Sequence, residues 1–242
     1  MFFHNSLHLF YDPLYLILVL PAVLFALIAS ASVNSTFEKY QKQLSARHMT
    51  GAAAARRVLD SHGLYDVEIR MVAGKLSDHY DPRDNTIYLS EAVHNSTSTA
   101  AIGVAAHEAG HAVQHAENYL PIKIRAAIIP ATNIGSRLAM PLILIGLLIG
   151  AWGGNYLLAY VGVICFSLTA IFQLVTLPTE FNASARAMRS LENGGILSRD
   201  ELRGARKVLT AAAMTYVAAL AVSLAQLLRI LIIVAGNSRR RD

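Results

Sequence analysis

The chain has 242 residues, of which 54% are hydrophobic and only 15% charged, with a formal net charge of +5. Soluble globular domains carry roughly 25% charged residues, so this composition excludes an ordinary water-soluble protein. Lys and Arg are scattered without an aromatic-interleaved basic stripe, which excludes a nucleic-acid binder, and the single Cys165 excludes a disulfide framework or cysteine-based zinc site within one chain.

The apolar residues gather in four runs, 14–31, 138–152, 156–177 and 208–235, separated by segments of normal polarity. The first run is long enough to cross roughly 30 Å of hydrocarbon. Ala29-Ser30-Ala31 looks like a cleavage site, but residues 1–12 carry no Lys or Arg, so the missing basic segment argues against a removable signal peptide. Lys39, Lys42 and Arg47 follow the run, and the positive-inside bias then places the next portion in the cytoplasm and the N-terminus outside. Residues 1–32 are therefore read as an uncleaved transmembrane anchor.

Residues 33–136 form the first polar portion. Thr50 is placed to cap a helix over 52–60 that stops at His62-Gly63. Residues 66–72 alternate polar and apolar side chains as a half-buried strand does, and 86–89 read as a second short strand. Gly74 and the Asp81-Pro82-Arg83-Asp84-Asn85 cluster are turn chemistry. A long helix is predicted over 99–116.

Residues 137–177 read as a transmembrane helical hairpin turned at Gly153-Gly154-Asn155, with a first arm short for a full span. Pro178 is expected to end the second arm. In the following portion, 178–207, a polar helix over 179–191 is stopped by Asn193-Gly194-Gly195. Residues 208–242 supply a C-terminal transmembrane helix, with Arg229 close enough to its end to snorkel, and a basic tail. Four crossings from an outside N-terminus leave Arg239-Arg240-Arg241 outside, against the charge bias.

Within the predicted long helix stands Ala105-Ala106-His107-Glu108-Ala109-Gly110-His111-Ala112, an H-E-x-x-H pattern. Helical residues four apart lie one above the other, so both imidazoles can reach one ion with Glu108 beside it. Two neutral histidine nitrogens and a carboxylate suit zinc and leave a position open for water. Glu108 is then the candidate catalytic base of a peptide hydrolysis without a covalent intermediate. Small residues around the pattern allow another element to approach closely, and Gly110 in a helix interior, which costs about 1 kcal/mol, makes sense if something packs there.

A third ligand must come from elsewhere. His115 lies about 12 Å along an unbroken helix from His107, too far for donors at roughly 2.1 Å from one zinc. Glu117 falls where a metzincin pattern has its last ligand, but Gln114 stands where that pattern has its turning glycine. Glu180 is the stronger candidate, because two intervening crossings return it to the side that carries His107. Glu117 stays open as the alternative.

At these residues the chain resembles a known family, the neutral zinc metallopeptidases of the YugP-like type, which are membrane proteins distantly similar to the gluzincins. Thr50-Gly51-Ala52, the stretch from Gly74 through Asp78-His79-Tyr80-Asp81-Pro82-Arg83, the helix around His107 to His115, and Leu177-Pro178-Thr179-Glu180-Phe181-Asn182-Ala183-Ser184 carry the likeness over nearly the whole chain. The resemblance implies one zinc ion per chain on His107, His111 and Glu180, with Glu108 catalytic. Asn182 and Ser184 depart from acidic residues common at these positions; they can still accept a hydrogen bond from a ligand histidine, without the charge.

The resulting expectation is a mostly α membrane protein with about four transmembrane helices and a zincin-like α+β portion holding a small β-sheet. Its function is expected to be zinc-dependent cleavage of a peptide or protein substrate, membrane-associated or unfolded, on the cytoplasmic side of a bacterial plasma membrane. No nucleic-acid partner is expected. The rival reading is a non-catalytic zinc-binding membrane adaptor, favoured if a fourth protein ligand such as His79 closes the site. Asp78, His79 and Asp81 have no assigned role; the strand over 86–89 is a candidate for binding substrate by strand addition. Tyr119, Arg125 and Arg186 are candidates for stabilising an oxyanion.

Overall fold

Caps and hydrophobic runs account for the elements in turn. The computed structural model describes residues 12–74 and 77–239. A π-helical turn at Tyr15–Val19 leads into α1 (Leu20–Gln41), followed by α2 (Gly51–Ser61), β1 (Glu68–Val72), β2 (His79–Asp81), β3 (Thr86–Ser90), α3 (Glu91–His94), α4 (Thr99–Ala116), α5 (Leu120–Gly153), α6 (Leu157–Asn193) and α7 (Arg199–Arg239). The protein is mostly helical with one small sheet, and among the described residues four helices are long and apolar enough to cross a membrane. Residues 1–11, Lys75, Leu76 and Arg240-Arg241 of the basic tail lie outside the described residues.

Two corrections concern proline. Pro178 does not end the hairpin's second arm: α6 runs through it to Asn193, so the polar helix predicted over 179–191 is the continuation of a membrane helix. The first arm is not short either, because α5 begins at Leu120 and holds Pro130 and Pro141 in its interior. Proline removes one backbone donor and crowds the preceding turn, which bends a long helix without stopping it where neighbouring groups satisfy the freed carbonyl.

The chain divides into two compact units. The one that concerns function comprises Ala29–Ile124 and Thr176–Thr215. Its sheet has the order β1-β3-β2, with β3 parallel to β1 and antiparallel to β2. The central place of β3 explains its burial, and it excludes the expected strand addition there, since both of its edges are already paired. Strand β2 lies between Gly74 and the 81–85 cluster and overlaps that cluster at Asp81, where the sequence predicts no strand. Thr50 caps α2, its hydroxyl accepting from Ala53 N at 3.2 Å, and Gly63 at φ +73° turns the chain out of it. Ser98 caps α4 likewise through Ala101 N at 3.2 Å.

One apolar core joins these pieces: Val58 and Leu59 of α2, Ile87 and Leu89 of β3, Ile102 of α4, Leu191 of α6 and Ile196 are buried together. Glu201 adds a polar tie, accepting from Ala46 N at 2.6 Å and Ser198 N at 2.7 Å, which fixes the start of α7 to the segment after α1. This scaffold holds α4 from several sides.

The other unit, described over residues 12–28, 125–175 and 216–239, contains the most apolar helix stretches. Its α5 and α6 meet through glycines: a Cβ on Gly146 would lie 2.1 Å from Ala159 N, and one on Gly162 would lie 2.8 Å from Ile143 N. Close backbone approach of this kind is how helices associate without a hydrophobic driving force between them. Leu144, Leu148, Ile164 and Leu174 are exposed, as lipid-facing residues are. Arg229 is paired with Asp12 at 2.5 Å and lies over the Tyr15 ring, so its charge is met by a carboxylate rather than by snorkelling alone.

Candidate metal centre

The helix α4 presents His107 and His111 one turn apart, their rings 4.7 Å between centroids and nearly perpendicular. Helix α6 brings Glu180 to them. Its Oε2 lies 3.3 Å from His107 Nε2 and 3.5 Å from His111 Nε2, and one potential ligand atom from each residue falls within 4.8 Å of the others. Among the described residues this is the one group of three or more His, Cys, Asp or Glu side chains so arranged. Two imidazole nitrogens and a carboxylate oxygen converging from a buried helix contact are the donor set that zinc takes, so the residues fit the metal.

Gly110 permits the approach. A Cβ there would sit 2.6 Å from the carbonyl oxygen of Ala183, so any side chain would push α4 and α6 apart. With glycine, the α6 turn that carries Glu180, Asn182 and Ser184 lies directly against the face of α4 that carries the histidines. Glu108, between them in sequence, is buried to 8% exposure.

Each histidine is held from behind through Nδ1, leaving Nε2 toward Glu180. Ser184 Oγ lies 3.1 Å from His107 Nδ1, as its sequence position suggests. Asn182 does not reach a histidine, which corrects the expectation drawn for it. Gln114 Oε1 instead lies 3.0 Å from His111 Nδ1, and the Gln114 amide nitrogen donates to Thr179 O at 2.8 Å and Asn182 Oδ1 at 2.9 Å. Arg186 Nε donates to the same Asn182 oxygen at 2.7 Å, while its Nη1 reaches Glu117 Oε2 at 2.6 Å. Burial acts to lower the His111 pKa, but the Glu180 and Glu108 carboxylates outweigh it and hold the imidazole above its ordinary value.

Other predicted candidates are placed elsewhere. Glu117 caps the end of α4 and pairs with Arg186, so it is absent from the cluster. His115 meets Tyr80 edge-on at 6.1 Å. His79 stacks on Tyr88 at 5.0 Å with Nδ1 on Ser77 O, and is no fourth ligand. Asp78 accepts from Ser90 N at 2.7 Å, closing the end of β3. Asp81 is the last residue of β2, and its carboxyl is held down at a pKa of about 2 by the Arg83 side chain. Tyr119 lies against the Arg186 guanidinium, and Arg125 falls in the other compact unit. A cavity of about 710 Å³ opens beside Glu117 and Arg186, lined also by Arg57, His62 and Arg189; none of the four central residues lines it.

Comparison with known proteins gives the chain a family. A family described as "Putative neutral zinc metallopeptidase" matches residues 15–235. The chain is 46% identical over 220 residues to a Bacillus subtilis (strain 168) protein named "Putative membrane protease YugP", covering 91% of this chain and 96% of that one. No solved structure matches. The chain therefore belongs to this family of neutral zinc metallopeptidases, and it is a membrane protein.

Proposed function

We propose that this protein is an endopeptidase of the H-E-x-x-H type, in which His107, His111 and Glu180 hold one zinc ion and Glu108 is the catalytic base. The observation that carries the reading is the convergence of three ligand atoms within 4.8 Å, contributed by α4 and α6, with Glu108 on the same helix as both histidines. A bound zinc ion supplies Lewis acidity, polarising the scissile carbonyl and making a water easier to deprotonate. Glu108 would take the water proton as the water oxygen bonds the carbonyl carbon, and deliver it to the amine nitrogen as the C–N bond breaks, leaving one carboxyl and one amine terminus. Burial of Glu108 keeps bulk water from competing for that proton.

Substrates are peptides or unfolded and membrane-associated proteins, cut on the cytoplasmic side of the bilayer; Lys39, Lys42 and Arg47 after the first span support that orientation. Three protein donors leave a coordination position for water and substrate, which favours an enzyme over an adaptor whose metal is closed off. The test is cleavage of an unfolded casein-type substrate by wild type and Glu108→Gln. Wild type should lose activity to a chelator and regain it with zinc. The variant should keep its zinc and lose at least about a hundredfold in rate, the scale of general acid–base catalysis; a variant that cuts normally removes Glu108 from the mechanism.

A further inference from the structure

Gln114 is fully buried, and it sits in a chain of hydrogen bonds whose directions follow without choosing any proton position. Arg186 has only N–H groups to offer, so the Asn182 oxygen 2.7 Å from its Nε must accept. That same oxygen lies 2.9 Å from the terminal amide of Gln114, and the Thr179 backbone carbonyl lies 2.8 Å from it. Both neighbours are acceptors, so the amide atom facing them is the nitrogen. The reversed amide would set oxygen against two oxygens. With its two N–H groups committed, Gln114 turns its Oε1 to His111 Nδ1 at 3.0 Å and can only accept there. His111 therefore carries a proton on Nδ1, and its Nε2 lies on the Glu180 side, 3.5 Å from that carboxylate.

We infer that Gln114 is the positioning residue of the metal centre: its amide, clamped by Thr179 and Asn182, fixes the ring orientation and the tautomer of His111, so that Nε2 is the atom presented to the metal. The inference rests on the reading that His107, His111 and Glu180 hold zinc. Ser184 does less at His107, because a hydroxyl rotates to donate or accept and so holds the ring without selecting a tautomer. The Arg186–Glu117 pair extends the chain by fixing the group that fixes Asn182. A ligand histidine is thereby oriented by its own helix three residues on, with the opposing helix supplying the clamp.

The test compares zinc dissociation constants of the full-length, detergent-solubilised wild type with those of Gln114→Met, Asn182→Leu and Asn182→Asp. It is paired with the nitrogen and proton resonances of His111 in zinc-loaded protein labelled at histidine. Gln114→Met keeps the side-chain volume and removes the acceptor; it should weaken zinc binding by about 10- to 100-fold and expose the Nδ1 proton to exchange. Asn182→Leu should act in the same direction more weakly. Asn182→Asp, which keeps the acceptor for Gln114 and Arg186, should restore near wild-type affinity, a rescue that a space-filling role alone would not give. Wild-type affinity and an equally protected proton in Gln114→Met overturn the inference; should that variant fail to fold, the same result in Asn182→Leu does so. A wild type that takes up no zinc overturns the site itself, and the positioning role with it.

Discussion

His111 stands between two acceptors, Gln114 Oε1 at Nδ1 and the Glu180 carboxylate at Nε2, and in the metal-free chain it keeps a proton above the ordinary imidazole value. That protonated form stabilises the metal-free fold fully at low pH, below the value of an unfolded histidine, and the contribution is lost as pH rises through the raised value. On the proposed ligand set, zinc must displace that proton. Apparent zinc affinity should therefore climb by up to about tenfold per unit as pH rises toward the raised value and level off above it. Competition titrations across roughly pH 5 to 9 check this, and an affinity flat over that range contradicts the assignment of His111 as a ligand. At this scale the sequence shows His107, Glu108 and His111 outright, since one helical motif supplies all three. Gln114 is harder to see. Its place three residues beyond His111 puts it on the same helix face, but its role depends on Thr179 and Asn182, which are 65 and 68 residues away.

Between elements, the contact of α4 with α6 decides whether a metal site exists. It is made at Gly110, where an added methyl group meets the Ala183 carbonyl at 2.6 Å. Gly110→Ala gains about 1 kcal/mol of helix propensity but incurs an overpacking cost of about 1 to 3 kcal/mol against backbone that cannot step aside. Thermal denaturation should show a net loss, accompanied by weaker zinc binding as Glu180 is moved off the histidines. A variant that is more stable and binds zinc normally would show that the two helices have room to spare. The bounds of α4 match the prediction because Ser98 is a good cap and the helix ends where its apolar pattern does. Pro178 misleads, since proline is a strong stop signal in water but is carried within long helices of membrane proteins. Strand β2 is only three residues long, too short for alternation to register, and its pairing to β3 is a tertiary fact.

For the whole molecule, four candidate spans follow from composition and need no knowledge of packing. The direction of the last one is less legible, because the basic tail argues against the crossing count. Asp12 and Arg229 bear on this, since a 2.5 Å ion pair joins the start of the first span to the far part of α7. The pair sets the start of the first span beside the far part of α7, the arrangement that an even number of crossings gives if all four candidate spans cross. Accessibility of N- and C-terminal tags to a membrane-impermeant reagent should be the same in intact cells. Tags reporting opposite faces would mean that one of the four helices does not cross.

The central claim is that an acid carried on one long helix completes a metal site begun by two histidines on another. Zinc content of purified wild type against Glu180→Ala tests it most directly. Wild type should hold about one zinc per chain, and the variant, left with two protein donors, should hold far less at equal protein and metal concentrations. Full zinc occupancy in Glu180→Ala, with the fold intact, would contradict the account.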